Sequence, residues 1–480
     1  MNSVTPDAAA RPGDGGAAIV SRMSAASERL VPINPATGEP LAPVACTSRE
    51  ELPAIVARAR AAHAAWANAA LEVRAAHVRA FAAAVLREAD TLARSICDEM
   101  GKPIREARAE VKNVAARVES FIAAAGQALA DEEGVEAGIR VRVRWKPLGV
   151  VAVIAPWNYP VATPSNLLIS ALLTGNAAVF KPSEYTPHTG AHLHRLLAGA
   201  LPEGLIGLVQ GAGAVGAALV ESDVDMIAFT GSIATGQAIM RSAAAGMKRL
   251  VLELGGKDPM LVLPGADLEA AARHAAAEAL RNAGQVCVSV ERIIVHADLA
   301  ADFTKRVAEL VRKVKPGDPR DEACELGPMS SARQRDLVLA QLADARQRGA
   351  TFVVEGQPTG PGFYLTPSVV TDLKPDMSLT RDETFGPVVA IQVARDVGEA
   401  VALANDTRYG LGASVWGAPG PELEAIADRI EAGMVGINRG LSTAAGGPWV
   451  GWKMSGLGYT RSVAGMRQFL QPQSQARRAG

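Results

Sequence analysis

From Glu50 to about Leu129 apolar residues recur at helical spacing through long alanine-rich segments, as in Ala75-Ala76-His77-Val78-Arg79-Ala80-Phe81. Strong helix formers dominate, so this stretch predicts several amphipathic helices. The period then changes. Ile139-Arg140-Val141-Arg142-Val143-Arg144-Trp145-Lys146 alternates strictly, giving one apolar and one basic face, the pattern of a strand that Pro147 ends. Such a strand is either half-buried with a solvated basic face or paired across a subunit boundary.

From Gly149 to Glu253 short apolar runs alternate with helical stretches: Val150 to Ile154, Ala177 to Phe180, Ile206 to Val209, Met226 to Phe229 and Leu250 to Leu252. Apolar runs separated by helices predict a parallel sheet with helices packed on it. A second series follows Gly255-Gly256, with an alanine-rich helix from about Leu268, apolar runs at Arg292 to Val295 and Val388 to Val393, and a helix near Glu399 to Asn405. It predicts a second α/β domain beginning close to residue 254.

Composition narrows the function classes. A chain of 480 residues, 49% hydrophobic and 21% charged, has the make-up of a globular protein with room for about two to four domains, not of a fibrous or disordered one. Lys and Arg total 49 against 50 for Asp and Glu, so no overall field attracts nucleic acid or a membrane surface. No run reaches the roughly 18 apolar residues of a membrane span. Met1 to about Ser27, rich in Ala, Gly, Pro and Ser and without a signal-like apolar stretch, is expected to be a mobile tail. Cys46, Cys97, Cys287 and Cys324 lie far apart with no metal-ligand spacing, so no disulfide framework and no metal site are expected, and the cytoplasm is the default location.

Two glycine-rich turns compete for a dinucleotide pyrophosphate. Gly211-Ala212-Gly213-Ala214-Val215-Gly216 follows an apolar run and opens a helix, but Gly231-Ser232 stands where the acidic residue of that fingerprint belongs. Gly231-Ser232-Ile233-Ala234-Thr235-Gly236 directly follows a strand and offers free backbone N–H groups to an anion, which makes it the better candidate.

The most informative string is Asn282-Ala283-Gly284-Gln285-Val286-Cys287, although a lone cysteine among apolar residues also fits an inert core position. Around it stand, in order, Pro156-Trp157-Asn158-Tyr159-Pro160, Lys181-Pro182-Ser183-Glu184, Phe229-Thr230-Gly231-Ser232, Glu253-Leu254-Gly255-Gly256-Lys257, Glu383-Thr384-Phe385-Gly386-Pro387 and Gly451-Trp452-Lys453-Met454-Ser455-Gly456. With these the sequence resembles the NAD(P)-dependent aldehyde dehydrogenase superfamily from about Asn34 to about Gln471. The resemblance implies an α/β fold with a Rossmann-like cofactor domain (28–121 and 149–253), an α/β catalytic domain (254–440), and a small β oligomerisation arm with the C-terminal segment (122–148 and 441–480). It also implies a homodimer or homotetramer.

Residue by residue, the resemblance makes Cys287 the nucleophile that turns the aldehyde carbon tetrahedral so that hydride can leave. The Asn158 amide and the Cys287 backbone N–H become donors to the oxyanion, and Glu253 the base that activates water against the thioester. It places Lys181 and Glu184 at the adenosine ribose with the small Ser183 beside them, and Gly231 and Ser232 near the pyrophosphate. Glu383 falls on the nicotinamide ribose with Phe385 alongside, and Trp157 and Leu254 give backbone contacts. A ribose 2′-phosphate would meet the Glu184 carboxylate, so NAD is expected over NADP, which Lys181 and Ser183 would admit only with Glu184 swung aside.

For the substrate, the sequence is similar to succinate-semialdehyde dehydrogenases. Arg281 matches their arginine for the far carboxylate, and Asn438-Arg439-Gly440-Leu441-Ser442-Thr443 resembles their substrate loop. The second arginine of several of those enzymes falls on Asn166, and the usual Pro-Phe-Gly-Gly and Gly-Arg-Glu are Pro448-Trp449-Val450-Gly451 and Gly458-Tyr459-Thr460. Arg281, Thr443 and Trp449 are therefore the expected substrate contacts, for a succinate-type semialdehyde or, against Trp449, a medium-chain or aromatic aldehyde. Glu253 argues against a CoA-acylating enzyme, and Cys287, Asn158 and Glu253 together argue against an inactive structural relative.

Overall fold

A computed structural model describes residues 29–441 and 446–479, so the tail expected at Met1 to Ser27 and the expected contact Thr443 lie outside the described residues. Five helices, Leu52–Trp66, Leu71–Arg87, Ala89–Met100, Ile104–Ala116 and Val118–Ala128, fill the first alanine-rich region. Each buries a stripe at helical spacing, as Val78, Phe81 and Val85 do in the second.

These helices lie against a six-stranded sheet ordered Gly456–Leu457, Arg249–Glu253, Met226–Thr230, Val150–Ile154, Ala177–Lys181, Ile206–Leu208. All its pairings are parallel except that of Gly456–Leu457. After Val150–Ile154 the chain builds first to one side and then to the other, so the order reverses between this strand and Met226–Thr230. A crevice opens at such a switch point beyond the C-terminal strand ends, where open α/β sheets bind ligands. The register Ile154 to Phe229, Ile154 to Lys181 and Thr230 to Glu253 brings Lys181, Gly231, Glu253 and the loop carrying Asn158 to that one edge.

A seven-stranded sheet follows, ordered Thr351–Val354, Ser368–Thr371, Val388–Ala394, Val290–His296, Asp258–Val262, Gly412–Trp416, Met434–Ile437. Only its first pairing is antiparallel. The alternating basic segment forms strand Ile139–Pro147, between Glu132–Glu136 and Leu470–Arg478 in an antiparallel three-stranded sheet. Arg140 and Arg142 pair with Glu133 and Asp131, so acidic neighbours compensate its basic face. The C-terminal segment is shared out: Gly456–Leu457 joins the six-stranded sheet, Met466 and Phe469 enter its core, and only Leu470–Arg478 reaches the small sheet.

Candidate active site

The loop after strand Val150–Ile154 is held from below by an ion pair. Lys102 donates to the Asn158 carbonyl at 2.7 Å and to Glu110, and its ammonium stands 3.6 Å over the Tyr159 ring centroid. The other Glu110 oxygen accepts from the Val161 and Ala162 N–H groups at 2.9 and 3.0 Å. Both charged side chains are fully buried. Buried charges persist only when paired and fully hydrogen-bonded, so this pair has one arrangement, and it fixes the loop that carries Asn158. The Asn158 side-chain amide points at the cysteine loop, donating to the Gln285 carbonyl at 3.1 Å.

Helix Leu268–Leu280 ends one residue before Arg281, which therefore begins a turn instead of lying on the helix. Asn282, Ala283 and Gly284 then take φ of 50°, 55° and 73°. Left-handed backbone is unfavourable at the first two, and at Gly284 a Cβ would meet the Gly386 carbonyl oxygen at 2.0 Å. Surrounding hydrogen bonds hold the strained turn: Asn282 N–H to Glu106, Gln285 Nε2 to the Asn282 carbonyl, and Ser330 N–H to Gln285 Oε1. The turn sets Cys287 beside Gly256, where a Cβ would come within 2.6 Å of the Cys287 carbonyl. The half-buried Cys287 thiol is pushed up to about 12 by burial first and then by Glu253, Asp258 and Glu383, with Arg281 opposing.

Glu253 closes its strand with one carboxylate oxygen on Thr460 and the other accepting from Thr230 at 3.2 Å, and burial raises its pKa. Glu383 accepts from Gly256 N–H at 3.0 Å, and burial followed by repulsion from Glu291 raises it to about 8. Glu291 binds Lys257 at 2.7 Å and accepts from the Thr384 and Phe385 N–H groups, which holds Phe385 edge-on to Trp157, 5.4 Å between centroids. Leu254 is buried against Gly236 of helix Ile233–Ala244 and donates its N–H to the Ser455 carbonyl at 2.9 Å.

At the switch-point crevice Lys181 is buried, with its ammonium donating to the Pro182 carbonyl at 3.1 Å; burial lowers its pKa and Glu184 opposes that. Ser183 is buried and Glu184 half-buried beside it. Gly231 passes so close to Phe229 that a Cβ would lie 2.4 Å from the ring, and Ser232 caps helix Ile233–Ala244 through Thr235 N–H. A dinucleotide fits these residues: a buried ammonium with donors to spare, a side-chain-free approach, and a capped helix start with free N–H groups. The rival turn opens helix Gly213–Glu221, and a Cβ at its Gly216 would lie 3.5 Å from the Lys181 side chain.

One cavity of about 590 Å³ gathers Asn158, Glu253 and Cys287. Arg281 and Trp449 line it too, together with Arg117, His274 and Arg461, which the sequence reading passed over. Arg281 is ion-paired with Glu278 at 2.7 Å. The Lys102–Glu110 pair was also passed over; its signal was a glutamate at core spacing among Ala107, Val111 and Val114. No group of residues able to hold a metal ion and no helix long and apolar enough to cross a membrane occurs among the described residues.

A switch-point crevice beside a cysteine cavity is the architecture of a nucleotide-dependent oxidoreductase. Comparison with known proteins gives the family: the aldehyde dehydrogenase family matches residues 22–475. The chain is 36% identical over 453 residues to succinate-semialdehyde dehydrogenase, NADP(+), of Deinococcus radiodurans, covering 93% of this chain and 95% of that one. It is 34% identical over 459 residues to peroxisomal aminoaldehyde dehydrogenase 2 of Pisum sativum, covering 92% and 91%. Among solved structures, the NAD+ complex of an aldehyde dehydrogenase from Bacillus cereus superposes with a TM-score of 0.91 at 30% identity, covering 94% of each chain. An aldehyde dehydrogenase from Brucella melitensis biovar abortus gives 0.90 at 32%, again covering 94% of each. The chain belongs to the aldehyde dehydrogenase family, whose activity is the oxidation of an aldehyde with NAD(P)+.

Proposed function

We propose that this protein oxidises a short aldehyde bearing a distal carboxylate, of the succinate semialdehyde type, to the acid. The carrying observation is that one cavity gathers Cys287, Asn158 and Glu253 with three arginines; similarity to succinate-semialdehyde dehydrogenases supports it. Trp449 and Phe121 in the lining favour an aromatic or medium-chain aldehyde as the second reading.

In this scheme the Cys287 thiol loses its proton to solvent water in the cavity, and the thiolate sulfur bonds to the aldehyde carbon as the carbonyl π electrons move onto oxygen. The Asn158 amide and the Cys287 N–H then donate to the new oxyanion, where losing one donor typically costs about 100- to 1000-fold. The nicotinamide ring, when bound, supplies the acceptor for the hydride that leaves this carbon, and brings positive charge beside the raised thiol. Collapse of the alkoxide leaves the acyl group as a thioester on Cys287. Glu253, its pKa raised by burial, takes a proton from water; the hydroxide adds to the thioester, and the C–S bond breaks to release the acid and the Cys287 thiolate.

The cofactor is held by Lys181, Ser183 and Glu184 at the adenosine ribose, Gly231 and Ser232 at the pyrophosphate, and Glu383, Phe385, Trp157 and Leu254 at the nicotinamide end. Glu184 favours NAD over NADP. Residues 29–121 and 149–253, joined by Gly456–Leu457, Met466 and Phe469, form the cofactor domain, 254–440 the catalytic domain, and 122–148 with Leu470–Arg478 the arm of a cytoplasmic homodimer or homotetramer. The exposed Val135 and Ile139 of the small sheet support that arm as a subunit contact. The test is kcat/KM for a panel of aldehydes with each cofactor. Succinate semialdehyde with NAD is expected to lead, and a tenfold preference for an uncharged aldehyde would overturn the substrate assignment.

A further inference from the structure

We propose that Thr460 is a positioning residue of deacylation: its hydroxyl, together with that of Thr230, clips Glu253 in one orientation and holds it as the ionised base. This rests on the reading above that Glu253 activates water, and names what keeps it ready to do so. Thr460 ends Gly458-Tyr459-Thr460, a string in which this chain departs from the family pattern and to which the scheme above gives no part.

Glu253 closes strand Arg249–Glu253, and the fold brings a hydroxyl to it from each side. Thr230 is its register partner on the neighbouring parallel strand, so the two side chains share a face, and the Thr230 hydroxyl donates to one carboxylate oxygen at 3.2 Å. On the other side the C-terminal chain is tied to the same strand end. Gly456 and Leu457 pair with Glu253 and Leu252, and the Leu254 N–H donates to the Ser455 carbonyl at 2.9 Å. Gly458, at φ 70°, then turns tightly against the strand, where a Cβ would lie 3.2 Å from the Val251 side chain and 3.4 Å from the Leu250 carbonyl oxygen. Strand Tyr459–Thr460 leaves that turn and pairs with Trp449–Val450, Thr460 opposite Trp449. Thr460 is thereby buried, and its hydroxyl donates to the second Glu253 oxygen.

A carboxylate only accepts and a threonine hydroxyl has one proton to give, so two hydroxyls on two oxygens match the ionised form of Glu253. Burial raises the Glu253 pKa, and the Thr460 hydroxyl, then Arg461, then the Thr230 hydroxyl draw it back. From the cysteine loop Cys287 faces the same carboxylate, whose charge adds to burial in raising the thiol. Arg117, Asp258, His274 and Arg281 line the rest of the cavity and are the same with or without the Thr460 hydroxyl. A hydroxyl also accepts, so Thr460 can turn toward Glu253 once the base has taken its proton from water. The clip keeps the base ionised before the step and accommodates the proton after it. An alkyl side chain of the same shape does neither.

The experiment forms the acyl group on Cys287 by rapid mixing with NAD and the leading aldehyde of the panel above, jumps the pH, and follows loss of the acyl group by mass. In the wild type this rate should rise with pH as Glu253 ionises. Thr460→Val, which keeps the shape and loses the hydroxyl, should move the rise to higher pH by about one to two pH units, the worth of a hydrogen bond to a charged group. Acyl loss is then about ten- to a hundredfold slower below the rise and recovers above it. The burst of reduced cofactor should stay within about threefold of the wild-type rate, and Thr460→Ser should restore the wild-type profile. Thr460→Ala takes the place of the valine variant should that one not fold. A rise that stays at the wild-type pH, a serine variant that behaves as the valine one, or a burst that slows together with acyl loss overturns this assignment alone and leaves Thr460 a packing residue. Acyl loss from Glu253→Gln at the wild-type rate overturns the base reading and this assignment with it.

Discussion

The floor and the wall of the cavity are built in different ways. On the floor, Cys287, Asn158 and Glu253 are set by backbone: a strained turn, a loop clamped by Lys102 and Glu110, and a strand end. On the wall, Arg117, Arg461 and Trp449 are long side chains from a helix junction and a C-terminal turn. A backbone-set floor does the same chemistry whatever lines the wall, whereas wall side chains change without disturbing the floor. Chemistry and selectivity are thus separable in this fold, and mutation should separate them.

The largest effect is expected on the floor. Asn158→Ala should lower kcat about 100- to 1000-fold for succinate semialdehyde and pentanal alike, measured by steady-state turnover, because the oxyanion loses a donor whatever the substrate. Glu110→Gln leaves the Lys102 ammonium buried without its carboxylate. Stability should fall by about 3–5 kcal/mol in denaturant unfolding, which shows that the clamp beneath Asn158 is also a folding element. A smaller effect concerns the thiol. With its pKa near 12, alkylation of Cys287 by iodoacetamide should rise about tenfold per pH unit from pH 7 to 10 as the thiolate fraction grows. Glu253→Gln removes a negative neighbour, lowers that pKa and should speed the reaction several-fold at fixed pH, even as turnover falls. The smallest effect lies outside the cavity: Glu184→Gln should raise the NADP to NAD ratio of kcat/KM by about three- to tenfold.

The floor was legible in the sequence because each of its groups sits in a contiguous string that carries the family resemblance: glycines mark close approach in the strings of Cys287 and Glu253, as Gly284 against Gly386 and Gly255 against Glu383 show, and two prolines frame that of Asn158. The two sheets were legible as far as their strands are apolar runs. Asp258–Val262, opening with Asp and Pro, and Gly412–Trp416, opening with Gly, escaped that pattern. So did Leu470–Arg478, a polar strand placed only by backbone pairing with Ile139–Pro147. Of the wall only Trp449 was legible, since Arg117 and Arg461 belong to no motif and reach the same cavity only through the tertiary fold. Arg281 stood out for its place before Cys287, yet its ion pair with Glu278 is three residues away on the preceding helix turn and carries no marker of its own.

Rapid mixing of enzyme, NAD and aldehyde measures the division of labour between Cys287 and Glu253 most directly. Glu253→Gln is predicted to release about one equivalent of reduced cofactor per site in a burst and then stall with the acyl group on Cys287, detectable by mass, while Cys287→Ala releases none. Steady turnover by Cys287→Ala, or a Glu253→Gln variant that neither bursts nor retains the acyl group, would contradict it.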